Sequence, residues 1–327
     1  MQRIVILALD DVYDSSLALS VDTLEAANRL SGLSGGPRRF EPVVLSPGRK
    51  EITTRNGARH AVRSRLARGR AAALVVPGLG LATEAEIDRL LGSQDAQRVL
   101  RWLRRHGPSF PVVAASCSAT FLLAESGLLD GEVATTTWWL APVFRARYPE
   151  VDLDEHRMVT ESGRYWCAGA ALAQMDLMLH LVARLAGPEL ASRVAGALAI
   201  EERPSQSRYM MASALAGLGD EVTRAERWIR SNLDRAFGVP ELARALGMST
   251  RTLDRRLRRA VGVGPSRFVQ RLRAEKAAHL IATTGLPLDE VARRVGYADT
   301  ASLRRVIRRE RQANPSALRA AGLRGGV

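Results

Sequence analysis

Residues 1–187 alternate short continuous apolar runs with longer stretches whose apolar positions recur every three to four residues. Residues 3–9 predict a buried strand, followed by a helix over about residues 16–30. Residues 40–46, 71–76 and 111–116 predict further strands, with one helix over residues 84–105 between the last two. Residues 158–166 read as a hairpin and 170–185 as a helix. Apolar strands separated by helices require a sheet covered on both faces, so the pattern predicts a parallel α/β domain over residues 1–187. A further helix and the polar segment 201–208 predict a connecting region over residues 188–220. From Val222 onward no strand pattern appears, and residues 221–327 are expected to form an all-α domain.

Within that last third one local pattern occurs twice. A helix-turn-helix packs two short helices at a steep angle, so it needs a small residue in the first helix, a glycine in the turn and a branched apolar anchor in the second. Ala243, Gly247 and Leu253 have this spacing, with a second helix over residues 250–260. The arrangement returns 49 residues later at residues 291–297, followed by a helix over 300–311. Its anchor, Leu303, falls one residue later, which implies a longer turn. Residues 266–283 form a continuous helical pattern between the copies, with Phe268, Leu272, Ala277, Leu280 and Ile281 on its apolar side. At ~1.5 Å per residue this connector spans about 27 Å, close to the ~34 Å repeat of duplex DNA.

Charge turns this geometry toward a partner. The chain has a net charge of +14, and residues 221–327 hold 23 Lys+Arg against 10 Asp+Glu. The first 220 residues are nearly balanced, so the excess lies where a polyanion would be met. In the first recognition helix Leu253 and Leu257 must face the core, leaving Thr250, Arg251, Asp254, Arg255 and Arg258 toward a groove. The equivalent face of the second offers Thr300, Ala301, Ser302 and Arg305, with Arg304 and Arg308 beside it. Arginine bonds guanine in pairs, and Arg251, Arg255 and Arg305 are expected to contact bases. About half of the others are expected to touch phosphates only.

The remaining composition excludes other classes. At 46% hydrophobic and 25% charged, the chain is not broadly disordered. The apolar run at residues 4–9 reaches Asp10 and Asp11 too soon for a signal peptide. Residues 168–186 are interrupted by polar groups, so no membrane span is expected and the protein is placed in the cytoplasm. Two cysteines, Cys117 and Cys167, form neither a disulfide framework nor a zinc cluster, and no metal or cofactor is expected.

Residues 222–321 resemble the DNA-binding domain of AraC-family transcription regulators, including the connecting helix and the Gly296-Tyr297 step. That family usually has two aromatic core positions and a glycine where this chain has Leu303, Ile307 and Gln312, before Asn314-Pro315. The resemblance therefore implies a second unit docked less tightly.

In the first domain, residues 112–120 read as a strand, then Cys117, then small residues opening a helix. Such a turn presents a nucleophile at the end of a sheet, near backbone amides. Residues 1–187 resemble the ThiJ/PfpI branch of the class I glutamine amidotransferase-like fold, which implies a flavodoxin-like parallel sheet and which regulators of the GlxA type join to an AraC-type domain. Residues 76–79 match its Pro-Gly-Gly turn except at Leu79, and residues 134–138 match its Thr-Thr-His-Trp with Thr137 in place of histidine. Asp22 falls where the family often has a glutamate near the cysteine, and Cys167-Ala-Gly169 where Ser-Ala-Gly is usual.

Acyl transfer by a cysteine needs a base, and none of the five histidines, His60, His106, His156, His180 and His279, stands at the matching position. The expectation is a small-molecule pocket lined by Asp22, Gly78, Cys117, Ser118, Thr137 and Cys167, not an enzyme. Together these readings predict a ligand-modulated, homodimeric transcription regulator that binds double-stranded DNA. Two alternatives stand beside it: a cysteine-dependent amidase or deglycase with a basic tail, and a constitutive regulator whose first domain is only a dimerisation scaffold.

Overall fold

The computed structural model describes residues 1–66, 70–201, 203, 205–206, 220–261, 263–311 and 314–324. The chain divides into two compact units, residues 1–206 and 207–327. Residues 207–219 of the expected connecting region, and Gln312, lie outside the described residues.

In the first unit the strands are β1 (Gln2–Leu7), β2 (Phe40–Leu45), β3 (Glu51–Thr53), β4 (Arg59–Ala61), β5 (Ala73–Val76), β6 (Val113–Ser116), β7 (Val133–Ala134), β8 (Asp152–Leu153), β9 (Val159–Ser162) and β10 (Tyr165–Ala168). The main sheet has the order β2-β1-β5-β6-β10-β9 and is parallel except for β9, which pairs antiparallel with β10 as the expected hairpin. The β3–β4 hairpin, too short for a periodic signal, was not expected.

The helices of this unit are α1 (Asp14–Leu33), α2 (Glu84–Gly92), α3 (Gln94–His106), α4 (Thr120–Glu125), α5 (Ala141–Arg147), α6 (Ala173–Ala186) and α7 (Pro188–Ala197). Alternation along the strands sorts the core into two layers. Leu74, Val76, Val113, Ala115 and Cys167 face a layer completed by Ile87, Leu100, Phe121 and Phe144 from α2 to α5. Ala73, Val75, Ala114, Trp166 and Ala168 face a layer completed by Leu24, Leu177, Leu181 and Val194 from α1, α6 and α7. Each such buried aliphatic side chain contributes roughly 1.5–3 kcal/mol.

Two expectations are corrected. The single helix over 84–105 is two helices, because the Ser93 hydroxyl accepts from the Ala96 amide and starts α3 afresh. The first domain does not end at 187, since α7 packs on α1 and α6 and the compact unit runs to Gln206.

The second unit is helical throughout its described residues: α8 (Asp220–Arg230), α9 (Val239–Ala245), α10 (Thr250–Val261), α11 (Pro265–Thr283), α12 (Leu288–Arg294), α13 (Thr300–Arg311) and α14 (Pro315–Arg324). The long α11 packs against α8, α10, α12, α13 and α14 and so joins both helical pairs.

Candidate nucleic-acid interface and the Cys117 elbow

The two predicted bends form by the same local chemistry. Gly247 and Gly296 have φ of +70° and +75°, the left-handed conformation that ends a helix without a Cβ penalty. Met248 N–H bonds Ala243 O at 3.0 Å, and Tyr297 N–H bonds Ala292 O at 2.9 Å, which closes α9 and α12 alike. Each following helix is then capped by a side chain. Ser249 Oγ accepts from Thr252 N–H at 3.1 Å, and Asp299 Oδ1 accepts from Ser302 N–H at 2.7 Å. The second turn is one residue longer, as the later anchor implied.

Leu253, Leu257, Leu303 and Ile307 are buried, which turns the opposite faces of α10 and α13 to solvent. Thr250, Arg251, Arg255, Arg258, Ala301, Arg304, Arg305 and Arg308 are exposed, while Asp254, Thr300 and Ser302 are half-buried. Among the described residues, Arg251, Arg255, Arg304 and Arg305 have no hydrogen bond or ion pair. Arg258 pairs with Asp254 at 2.8 Å, and Arg308 Nε donates to Asn314 at 3.3 Å. Ser302 departs from its expected role, because its amide and hydroxyl both bond Asp299 and serve the cap. Ala301, Arg304, Arg305, Arg308 and Arg309 border an open cleft of about 510 Å³.

Two side chains that sequence reasoning missed hold these faces in place. Arg273 of α11 donates to Gly296 O at 3.0 Å and to Arg235 O at 2.8 Å, and lies over the Phe237 and Tyr297 rings. Burial pulls its guanidinium below the usual arginine value, partly offset by Tyr297. Glu310 of α13, only 3% exposed, faces Arg309 at 2.7 Å, Arg271 at 3.4 Å and Arg267 at 3.6 Å. In a chain this rich in arginine, no local signal separates these from solvated charges.

In the first unit Cys117 sits directly after β6 with φ of +54°, a strained conformation for a residue with a Cβ. The Thr136 hydroxyl donates to its carbonyl at 3.0 Å, and Thr120 Oγ1 lies 2.8 Å from the same oxygen. Gly78 lies against it so closely that a Cβ there would stand 3.0 Å from Cys117 Cβ and 3.1 Å from Ser16 Oγ. Ser118 Oγ accepts from Leu81 N–H at 3.1 Å and ties this turn to the elbow. The strand-to-helix turn expected from the sequence is therefore present.

The thiol is enclosed. Cys117 is fully buried, and desolvation pushes its thiol above the usual value despite the Ser118 amide and hydroxyl, Thr137 and the Gly80 amide, which pull the other way. Cys167, also fully buried on β10, is pushed up to about 12 by the same cause. Both cysteines are free thiols. Asp22 does not line this site: it is exposed on α1, whereas Ser16, Ser20 and Thr23 are polar residues of that helix turned inward. Positions 16, 20, 23 and 27 follow the helical repeat and 22 does not, a signal that would have found Ser16. Sequence reasoning also passed over Gln206, whose side chain is fully buried beside Thr135 and Thr136.

An open cleft of about 670 Å³ adjoins the elbow's turn, lined among others by Leu9, Asp10, Leu79 and Leu81. It lies past the C-terminal ends of β1 and β5, where the chain passes from β2 on one side of β1 to β5 on the other. Its charges are largely paired internally, Arg49 with Asp10 at 2.5 Å, Arg98 with Asp95 at 2.6 Å and Arg55 with Glu86 at 3.2 Å.

Comparison with known proteins finds relatives along most of the chain. A family described as "Helix-turn-helix domain" matches residues 242–321. The chain is 25% identical over 322 residues to the HTH-type transcriptional regulator GlxA of Rhizobium meliloti, covering 98% of this chain and 96% of that one. It is 25% identical over 309 residues to the HTH-type transcriptional regulator GbdR of Pseudomonas aeruginosa, covering 91% and 79%. A solved ThiJ/PfpI family protein from Pseudomonas syringae overlaps 71% of this chain and 86% of its own at 15% identity, with a TM-score of 0.49. The chain thus joins a parallel α/β unit to a region that matches a helix-turn-helix family, and it is similar along most of its length to named HTH-type transcriptional regulators.

Proposed function

We propose that this protein is a sequence-specific DNA-binding transcription regulator of the cytoplasm, with a first domain that senses a small molecule and forms the homodimer. The observation that carries the DNA reading is the set of exposed arginines whose side chains make no hydrogen bond or ion pair among the described residues, Arg251 and Arg255 on α10 and Arg304 and Arg305 on α13. Exposed guanidinium groups held by no such bond, on helices of the right width for a major groove, are poised for base edges and phosphates. Thr250, Ala301 and Thr300 would supply shorter contacts beside them. Selection of bound sequences from a random duplex pool tests this reading. Enrichment of one motif with two half-sites about one turn apart is expected. Recovery of the pool unchanged would refute it.

For the sensing role, Gly78, Cys117, Ser118, Thr137 and Cys167 are proposed as the pocket, supported by the close approach of Gly78 to Cys117 and by Ser118 and Thr137 at its thiol. The strand-end cleft beside Leu79 and Leu81 is proposed as the ligand's approach, at the switch point where open α/β sheets bind ligands. The domain is read as non-enzymatic, because a buried, protonated thiol without an imidazole or carboxylate partner has no base to activate it. Cys117→Ala should leave operator binding intact.

A further inference from the structure

The first unit ends in a strap that returns to the elbow. Arg203 pairs with the nearly buried Asp176 carboxylate, and its Nη2 donates to Leu172 O at 2.9 Å. Ser205 forms an antiparallel bridge with Arg157, and its hydroxyl donates to His156 O at 2.8 Å. The backbone amide of Gln206 donates to the same oxygen at 3.0 Å. Past these anchors the Gln206 side chain enters a slot, where it is fully buried.

The slot has defined chemistry. Gln206 Nε2 lies 3.0 Å from Thr136 O, 3.3 Å from Arg157 O and 3.2 Å from Thr135 Oγ1. Two carbonyls fix the amide nitrogen on that side, since they can only accept. Opposite them the floor is Gly169: a Cβ there would fall 2.3 Å from Gln206 Oε1 and 2.4 Å from the amide carbon. The slot is therefore as thick as a planar amide because residue 169 has no side chain. Gln206 Oε1 itself is buried with no hydrogen-bond partner. A buried acceptor left unsatisfied weakens the hold of the group that carries it.

We propose that this slot is a primary-carboxamide site, occupied here by the chain's own Gln206, and that a small ligand bearing a primary carboxamide binds by displacing it. The proposal rests on the ligand-modulated reading above and names its site. All three facing groups are neutral acceptors, so they favour a neutral N–H₂ donor over an ammonium ion, which would be buried without a counter-charge. The tether makes Gln206 a strong competitor, because a linked group acts at a millimolar effective concentration. Displacement nevertheless has a consequence no free ligand would have. Gln206 is the last residue of the first unit, and Ser207 begins the unit that carries both helix-turn-helix pairs. A ligand that binds only the vacated slot shifts the population toward the released strap, and with it the chain entering the DNA-binding unit.

The test is chemical rescue in the full chain. Gln206→Ala should melt at a lower temperature than the wild type. Acetamide, the part of the side chain that alanine lacks, should restore the melting temperature saturably at millimolar concentration, and ethylammonium should not. The wild type should respond far less, because its slot is filled. Gly169→Ala in the Gln206→Ala background should abolish the rescue by filling the floor. Should Gln206→Ala fail to fold, Gln206→Ser, which vacates the same space and keeps a short polar side chain, serves the same comparison. No shift beyond that of the wild type, or an equal shift with ethylammonium, overturns the carboxamide assignment. DNA affinity of Gln206→Ala, measured with and without acetamide, should change at least threefold, and an unchanged affinity overturns the coupling. If neither protein binds DNA, the regulator reading fails while the melting data still decide the slot.

Discussion

The two helix-turn-helix units share their bend and differ in how they are fastened. In the first, Gly247 has open space where a Cβ would stand, so glycine is needed there for its φ alone. In the second, a Cβ on Gly296 would lie 2.6 Å from Leu233 O and 2.8 Å from Arg235 O. There glycine also permits a close approach, and Arg273 bonds across it. The first recognition helix is held by Leu253, Leu257 and Val261 against its own pair and the connector. The second adds the buried Glu310 among three arginines, two of them from α11. The motif thus specifies a bend, and the docking of that bend is settled by residues outside the motif. The aliphatic Leu303 and Ile307, which stand where aromatic residues are usual, are both fully buried, with the charged clamp beside them.

Several measurements would break or sharpen this contrast. The largest effect is electrostatic and common to both units. If about six phosphates are neutralised, DNA affinity should fall ~10³-fold between 50 and 200 mM salt in an anisotropy titration. A flat response would leave neither unit a role on DNA. Next, Glu310→Ala should lower stability by about 3 kcal/mol in urea unfolding, since it removes a nearly buried carboxylate that faces three arginines. A loss near zero would mean that the second helix docks by apolar contacts alone.

Arg255→Ala and Arg305→Ala should each cost about 1–3 kcal/mol at one base position, in opposite halves of the site. Loss at the same half from both would contradict two-groove binding. The smallest effect separates the caps. Asp299→Ala should lower the melting temperature by a few degrees at neutral pH. The Ser302 amide, aided by its hydroxyl, holds the Asp299 carboxyl below its usual value of 3.8. Its contribution is therefore fully present above that value and is lost as pH falls through the lower folded value, so the deficit of the variant should fade in strong acid. Ser249→Ala, which removes a hydroxyl cap, should show a deficit that does not titrate.

Much of the fold was legible because apolar periodicity is local. The runs at β1, β2, β5 and β6 and the repeated Ala–Gly–Leu spacing each report on a few neighbouring residues, and their elements formed where expected. The Cys117 elbow was legible for the same reason, as a strand followed by small residues. Asp22 was misplaced because family spacing was followed across a helix whose own repeat turns that position outward. The break at Ser93 was missed because the apolar pattern runs through it and only the cap interrupts the backbone.

By itself the sequence determined the elements, their amphipathic faces and the basic third of the chain, since each is set by residue type and short spacing. Only the tertiary structure decided which charges are exposed and unpaired and which are buried fasteners. Arg251 and Arg273 are the same residue type in the same kind of helix, yet one reaches solvent and the other bonds two carbonyls brought together from distant segments. Gln206 is the sharper case, because its slot is assembled from residues 135–136, 157 and 169. A hydrogen bond requires its partners within about 3 Å, and that proximity exists only after the chain has folded.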